Sequence, residues 1–430
     1  MLELDKIKKY EKEYRAKKEN KVRERMVRNV ALVDLIHDLD TDTNDNNFSI
    51  TITTHGVINQ KQSGRCWSFA GLNILREKVI EKCNLDNFEL SGSYLAFYDK
   101  LERVNVLLER LIKYKNEKKD LYDRYVSDLL KKGLQDSGYF KQFAQLVKKY
   151  GVVPYNNFPE TFTSSHTYEI NQILSRLIRK FYLELQTTND TKKLKDTYMK
   201  KVYEIVASLY GVPPEKFDFS YTDKNNKYCI DKNLTPLDFY EKYIGIDLER
   251  EYVEIGSYTD DLFQYNHRYQ IEESSKISGG KDEVLLNLPE EEFNNLILKQ
   301  IKGYEPVYFF CSTTSKRIEG TWIDTIERYG DIFDIDLVFN RNEISKTNAI
   351  TESHIMLITG VDLVDNQPKK WKIENTWGEN FGKNGQYVAT NDWLNRYVFK
   401  ICINKKYLTD RQLNLLNKPP ILVRKWDEKF

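Results

Sequence analysis

Cys66 stands where the polar loop Asn59-Gln60-Lys61-Gln62-Ser63-Gly64-Arg65 runs into the apolar, helix-compatible segment Trp67-Ser68-Phe69-Ala70. A thiol in the first turn of a helix feels the positive end of the helix dipole and unpaired N–H groups, and both favour the attacking thiolate. Gly64 lets the backbone turn tightly before the cysteine, and Arg65 adds a neighbouring positive charge. Gln60, one short loop upstream, carries an amide able to donate to an oxyanion. A free cysteine is more often a small buried hydrophobe. The loop-to-helix position and the upstream glutamine argue instead for a nucleophile, which then needs a histidine and an orienting amide from elsewhere in the chain.

Both are present near the C-terminal end. His354 opens the apolar run His354-Ile355-Met356-Leu357-Ile358, and Asn375 closes Trp371-Lys372-Ile373-Glu374-Asn375. In an antiparallel pair the start of one strand lies beside the end of the next, so these side chains can meet. The Asn375 amide can then accept the imidazole N–H and select one tautomer. The following Thr376-Trp377-Gly378 places an indole where it excludes water from that bond. His55, in a turn with no amide beside it, reads as a loop histidine.

The elements that must carry these groups follow from periodicity. Apolar residues recur at helical spacing from Trp67 to Ile80, and again over 93–114, 121–132, 140–150, 168–185 and 192–210. Thr235-Pro236 starts a further helix. Residues 1 to about 30 read as a solvated surface helix with a thin apolar stripe, 41–47 as a loop, and Phe48-Ser49-Ile50-Thr51-Ile52-Thr53 as a half-buried strand. Beyond residue 300 the pattern turns to strands at 306–311, 354–361, 371–375 and 397–403, separated by short turns, as in an antiparallel sheet. The fold class is therefore α+β. It divides into 1–165, a helical part with the nucleophile; 166–300, a mainly helical insertion; and 301–430, a sheet part with the histidine and asparagine.

Composition narrows the function. Sixty-six basic and 65 acidic side chains leave a net charge of +1, which gives no push toward nucleic acid or membrane. The lysine-rich 192–201 reads as a solvated helix face, and Ser278-Gly279-Gly280-Lys281 lacks the spacing of a phosphate loop. The five cysteines, with no C-x-x-C pair, suggest neither a disulfide framework nor a zinc site. No cofactor motif is evident. No stretch has the length of a signal-peptide core or a membrane span, so a cytoplasmic protein is expected.

Taken together, these motifs resemble the papain-like cysteine peptidases, and among them the bleomycin hydrolase/aminopeptidase C family. The resemblance is carried by Asn59 to Trp67, Tyr98-Asp99-Lys100-Leu101-Glu102-Arg103-Val104-Asn105, Lys149-Tyr150-Gly151-Val152-Val153-Pro154, Pro159-Glu160-Thr161-Phe162, Ser353-His354-Ile355-Met356, Glu374-Asn375-Thr376-Trp377-Gly378 and Asp392-Trp393. It implies a papain-like fold enlarged by helical insertions, since the interval from Cys66 to His354 is roughly double the ~130–150 residues of papain itself. It implies Cys66 as nucleophile, His354 as base, Asn375 as its orienter and Gln60 as oxyanion donor. It further implies peptide substrates, a homohexameric ring whose contacts the insertion builds, and a C-terminal arm in the cleft that makes the enzyme an aminopeptidase. Gly138, in Ser137-Gly138-Tyr139-Phe140 where the family has Gly-Gly-Gln-Trp, and Phe430 at the end of the arm are the implied substrate-binding positions. The chain departs from the family in that tetrapeptide, in Ile355 where alanine is usual, and in the short arm Trp426-Asp427-Glu428-Lys429-Phe430. Those departures keep two other readings open: an endopeptidase or dipeptide-releasing enzyme, and a ring-shaped binding protein with a vestigial site.

Overall fold

The computed structural model describes residues 2–37, 46–313, 317–318, 320–349 and 353–427. Its centre is the strand Val307–Cys311, buried on both faces. Alternation along it sorts two cores. Tyr308 and Phe310 face the helices of the N-terminal half, whereas Val307, Phe309 and Cys311 face the helix Glu290–Lys302. A strand covered on both sides reads as an unbroken apolar run, which is why Pro306 to Cys311 shows no polar alternation.

Among the described residues twelve strands form one sheet, in the order 421–423, 267–271, 284–287, 252–256, 398–404, 307–311, 354–364, 367–374, 386–390, 321–322, 317–318, with Ile50–Thr51 added alongside His354–Val364. The middle of this sheet is antiparallel, as the short turns require. Three pairs toward its edges are parallel: 386–390 with 321–322, 252–256 with 284–287, and 421–423 with 267–271. The strand expected over Phe48 to Thr53 is short, Ile50–Thr51, with the Ile52 N–H also donating to the Thr359 carbonyl at 2.8 Å.

On the other side lie the helices Cys66–Cys83, Gly92–Asn116, Phe140–Tyr150, Tyr168–Leu185 and Thr191–Tyr210. Cys66–Cys83 is buried almost all round and packs on His354–Val364. Its spacing therefore shows little amphipathicity, as expected of a core helix. The N-terminal stretch forms two exposed helices, Leu4–Ala16 and Lys18–Val27, broken at the extended Lys17.

The segment 166–300 differs from a mainly helical insertion in one respect. Its two longest helices end by Tyr210, and between the hairpin of Phe217–Thr222 with Tyr228–Leu234 and the helix Glu290–Lys302 the strands Tyr252–Gly256, His267–Ile271 and Val284–Asn287 join the main sheet. Among the described residues no helix is long and apolar enough to cross a membrane.

Candidate active site

The helix Cys66–Cys83 starts without a capping side chain, Arg65 occupying the N-cap position with no hydrogen bond from its side chain to the helix. Orphan N–H groups of the first turn are thus left at the cysteine. Opposite them, His354 begins the strand that pairs with Val307–Cys311 on one edge and with Gln367–Glu374 on the other. Gln60, Cys66, Gly138 and His354 line one cleft of about 420 Å³, together with Trp67, Asp136, Tyr139, Phe310, Ile355 and Lys400.

His354 Nε2 and Asn375 Oδ1 lie 2.7 Å apart in a fully buried contact. The Thr376 backbone N–H, which can only donate, also reaches Asn375 Oδ1, at 2.7 Å. That settles which end of the amide faces the ring, and hence that the imidazole carries its proton on Nε2. Nδ1 is then the basic nitrogen. The Trp377 indole stacks on the imidazole, with centroids 4.9 Å apart and planes 28° from parallel, and shields the bond from water.

The sulfur is placed against the same strand. The backbone N–H of Ile355, the residue after His354, hydrogen-bonds to it, as do those of Trp67 and of Cys66 itself. These contacts pull the thiol toward ionisation, but burial outweighs them and pushes it up to about 11. The helix end therefore favours the thiolate, as the sequence reading has it, but burial opposes it more strongly. Arg65 also contributes less than expected, because its guanidinium is spent on Glu160 through two bonds of 3.1 and 2.9 Å. As a nucleophile this thiol would need an imidazole able to take its proton.

Gln60 is fixed at both ends of its amide. Nε2 donates to the Ser63 carbonyl at 2.7 Å, leaving the second amide hydrogen for the cleft, and Oε1 accepts the Thr376 hydroxyl at 2.6 Å. Asn73 Nδ2, on the nucleophile helix, donates to Glu374 Oε1 at 2.7 Å and so ties that helix to the strand ending beside Asn375. Gly138 lies flat on the Trp67 ring, where a Cβ would come within 2.5 Å of it. Phe430 and the rest of 428–430 lie outside the described residues. His55 stands apart from the cleft, its Nδ1 2.7 Å from Glu77 Oε2.

Sequence reasoning missed Thr376, Glu160 and Lys400. Only Lys400 left a signal, as the one charge inside the apolar run Val398-Phe399-Lys400-Ile401-Cys402. Among the described residues no group of three or more His, Cys, Asp or Glu side chains could hold a metal.

The peptidase C1-like family matches residues 1–429. The chain belongs to that family. Within it, this peptidase C1-like chain is similar to aminopeptidase C of Lactobacillus helveticus, at 35% identity over 88% of this chain and 87% of the relative. It is also similar to aminopeptidase G of Lactobacillus delbrueckii subsp. lactis, at 36% identity over 88% of each. Its structure is similar to the crystal structure of PepW from Lactobacillus rhamnosis HN001, with a TM-score of 0.93, 33% identity and coverage of 99% and 98% of the two chains. The α+β, papain-like architecture expected of this peptidase C1-like chain, a helical part packed on a largely antiparallel sheet, is the one observed.

Proposed function

We propose that the protein is a cysteine aminopeptidase that removes N-terminal residues from peptides, with Cys66, His354, Asn375 and Gln60 as its catalytic machinery. The observation that carries this reading is the convergence of the Cys66 sulfur, the oriented His354 imidazole and the restrained Gln60 amide on one cleft. The relatives named aminopeptidase C and aminopeptidase G support the exopeptidase part.

In this scheme His354 Nδ1 takes the thiol proton as the sulfur bonds to the first peptide carbonyl carbon. The oxyanion is held by the Gln60 amide and the Cys66 backbone N–H. The imidazolium returns the proton to the leaving amine as the C–N bond breaks. Water then attacks the thioester with the same imidazole as base, releasing the amino acid and restoring the thiol.

Exopeptidase action requires something to close the cleft behind the first residue, and the C-terminal arm is the proposed device. Its approach is anchored: Val423 ends a strand on His267–Ile271, Trp426 packs edge-on against Tyr125 at 4.7 Å, and the Arg124 guanidinium lies 4.4 Å from the indole. Phe430 at the tip and Gly138 in the wall are the proposed substrate-binding positions. A homohexamer in the cytoplasm is part of the same proposal. Exposed Tyr168, Ile173, Leu183 and Tyr203 on the two insertion helices support subunit contacts there.

Paired fluorogenic peptides, one with a free and one with an acetylated N-terminus, test the reading. The free peptide is expected to be cleaved efficiently and the blocked one hardly at all, with both inert to Cys66→Ser. Efficient cleavage of the blocked peptide would replace the aminopeptidase with an endopeptidase. No cleavage of either, with no labelling of Cys66 by an epoxide inhibitor, would leave a vestigial site.

A further inference from the structure

Lys400 is an anomaly in this cleft. It is 1% exposed, in the middle of the buried strand Val398–Asn404, yet its side chain lines the same cleft as Cys66 and His354. Register explains how. Lys400 stands opposite Phe310, and Phe310 opposite Ile355, on three adjacent strands. Directly opposed residues share a face, so the three form a row across the sheet at about 4.8 Å per strand. The row begins at Ile355, whose N–H touches the Cys66 sulfur, and ends at Lys400.

The amine is set between a carboxylate and a ring face. Nζ lies 2.7 Å from Glu283 Oε1 and 3.8 Å from the centre of the Phe310 ring, whose electron-rich face favours a cation. Glu254, 4.0 Å from Nζ, is buried against Glu283. Neither carboxylate lines the cleft, whereas Lys400 does. A side chain entering beside Tyr139 and Phe310 thus meets Lys400, with the Glu283 carboxylate behind it.

We infer that Lys400 determines side-chain selectivity: the pocket it floors accepts a peptide residue with an aliphatic stem and a hydrogen-bond-accepting tip, an amide or carboxylate, and rejects lysine and arginine. The aromatic walls cover the stem, and the ammonium meets the acceptor. A second cation would be buried against the first.

This inference rests on the peptidase reading, and the experiment keeps the two apart. Two sets of coumarin-amide peptides vary glutamine, leucine and lysine, one at the residue whose carbonyl is attacked and one at the residue before it. In one of the sets the wild-type kcat/KM for glutamine is expected to exceed that for lysine by about tenfold or more. The double variant Lys400→Met/Glu283→Gln, made so that the Glu283 carboxylate is not left without its cation, is expected to put leucine first and to erase the discrimination against lysine. Lys400→Arg keeps the wild-type order. Equal wild-type rates for glutamine and lysine in both sets overturn the inference. So does a double variant that is labelled stoichiometrically at Cys66 and retains the wild-type order. Should the double variant fail to take the label, the wild-type ratio and Lys400→Arg decide. A wild-type protein that cleaves nothing and takes no label overturns the peptidase reading itself, and this inference with it.

Discussion

Thr376 joins the two halves of the site, its hydroxyl donating to Gln60 Oε1 at 2.6 Å while its N–H donates to Asn375 Oδ1 at 2.7 Å. Its carbonyl also accepts the Gln60 backbone N–H at 2.8 Å. One residue of the sheet half thereby holds both Gln60, the proposed oxyanion donor in the helical half, and Asn375, the amide proposed to orient the base. Thr376→Val keeps the shape and both backbone bonds but removes one of the two bonds that hold the Gln60 amide, leaving only the one from Nε2 to the Ser63 carbonyl. We expect kcat to fall by about 10- to 100-fold with KM little changed, less than the loss of the donor itself. Thr376→Ser, which restores the hydroxyl, should recover most of the rate, and steady-state kinetics on the three proteins would show it.

Removing the donor outright should cost more. Gln60→Ala is expected to lower kcat by about 10²- to 10³-fold, while Cys66 remains titratable by a thiol-directed epoxide. Cys66→Ser should be inactive and unlabelled. Turnover by Cys66→Ser near the wild-type rate would remove the sulfur from the mechanism.

Asn375→Ala removes the oxygen that accepts the Nε2 proton of His354 and with it the bond that selects the tautomer. A fall in kcat of about 10-fold or more is expected, with the acidic limb of the pH–rate profile displaced. An unchanged profile would show that Trp377 stacking alone holds the ring.

Gly138→Ala places a methyl group against the Trp67 ring, which is 1% exposed, hydrogen-bonded through Nε1 to the Asp136 carbonyl at 2.7 Å, and has no room to retreat. Overpacking of this kind costs about 1–3 kcal/mol. Because Gly138 also lines the cleft, a lowered melting temperature should be accompanied by a raised KM. A change in neither would mean that the wall is softer than its burial implies.

Glu254 predicts how stability follows pH. Burial, and secondarily the Glu283 charge, raise its folded-state pKa well above the ordinary glutamate value, against the opposing pull of Lys400. A folded state that holds a proton the unfolded state has lost is less favoured as pH rises. The stabilisation is complete below the unfolded pKa of about 4.3 and is lost as pH climbs through the folded one, by at most about 1.4 kcal/mol per pH unit. Glu254→Gln carries no such proton. Its melting temperature relative to wild type is expected to rise between acid and neutral pH, and parallel curves would refute the assignment.

What the sequence determined by itself was local. The loop–cysteine–helix junction, the run that His354 opens and the run that Asn375 closes, and the helices Phe140–Tyr150 and Tyr168–Leu185 were legible because each is set by neighbours within a turn or a strand. The tertiary structure decided what burial and register control. The Cys66 thiol is pushed up although it sits at a helix end, because that end is enclosed by a sheet strand. Arg65 is neutralised by Glu160, 95 positions away, and strands from 252–287 join a sheet whose centre lies beyond residue 300. Lys400 reads as an oddity in an apolar run until register sets it opposite Phe310 and beside the nucleophile. Such contacts depend on which distant segments share a face, and no window of sequence contains that information.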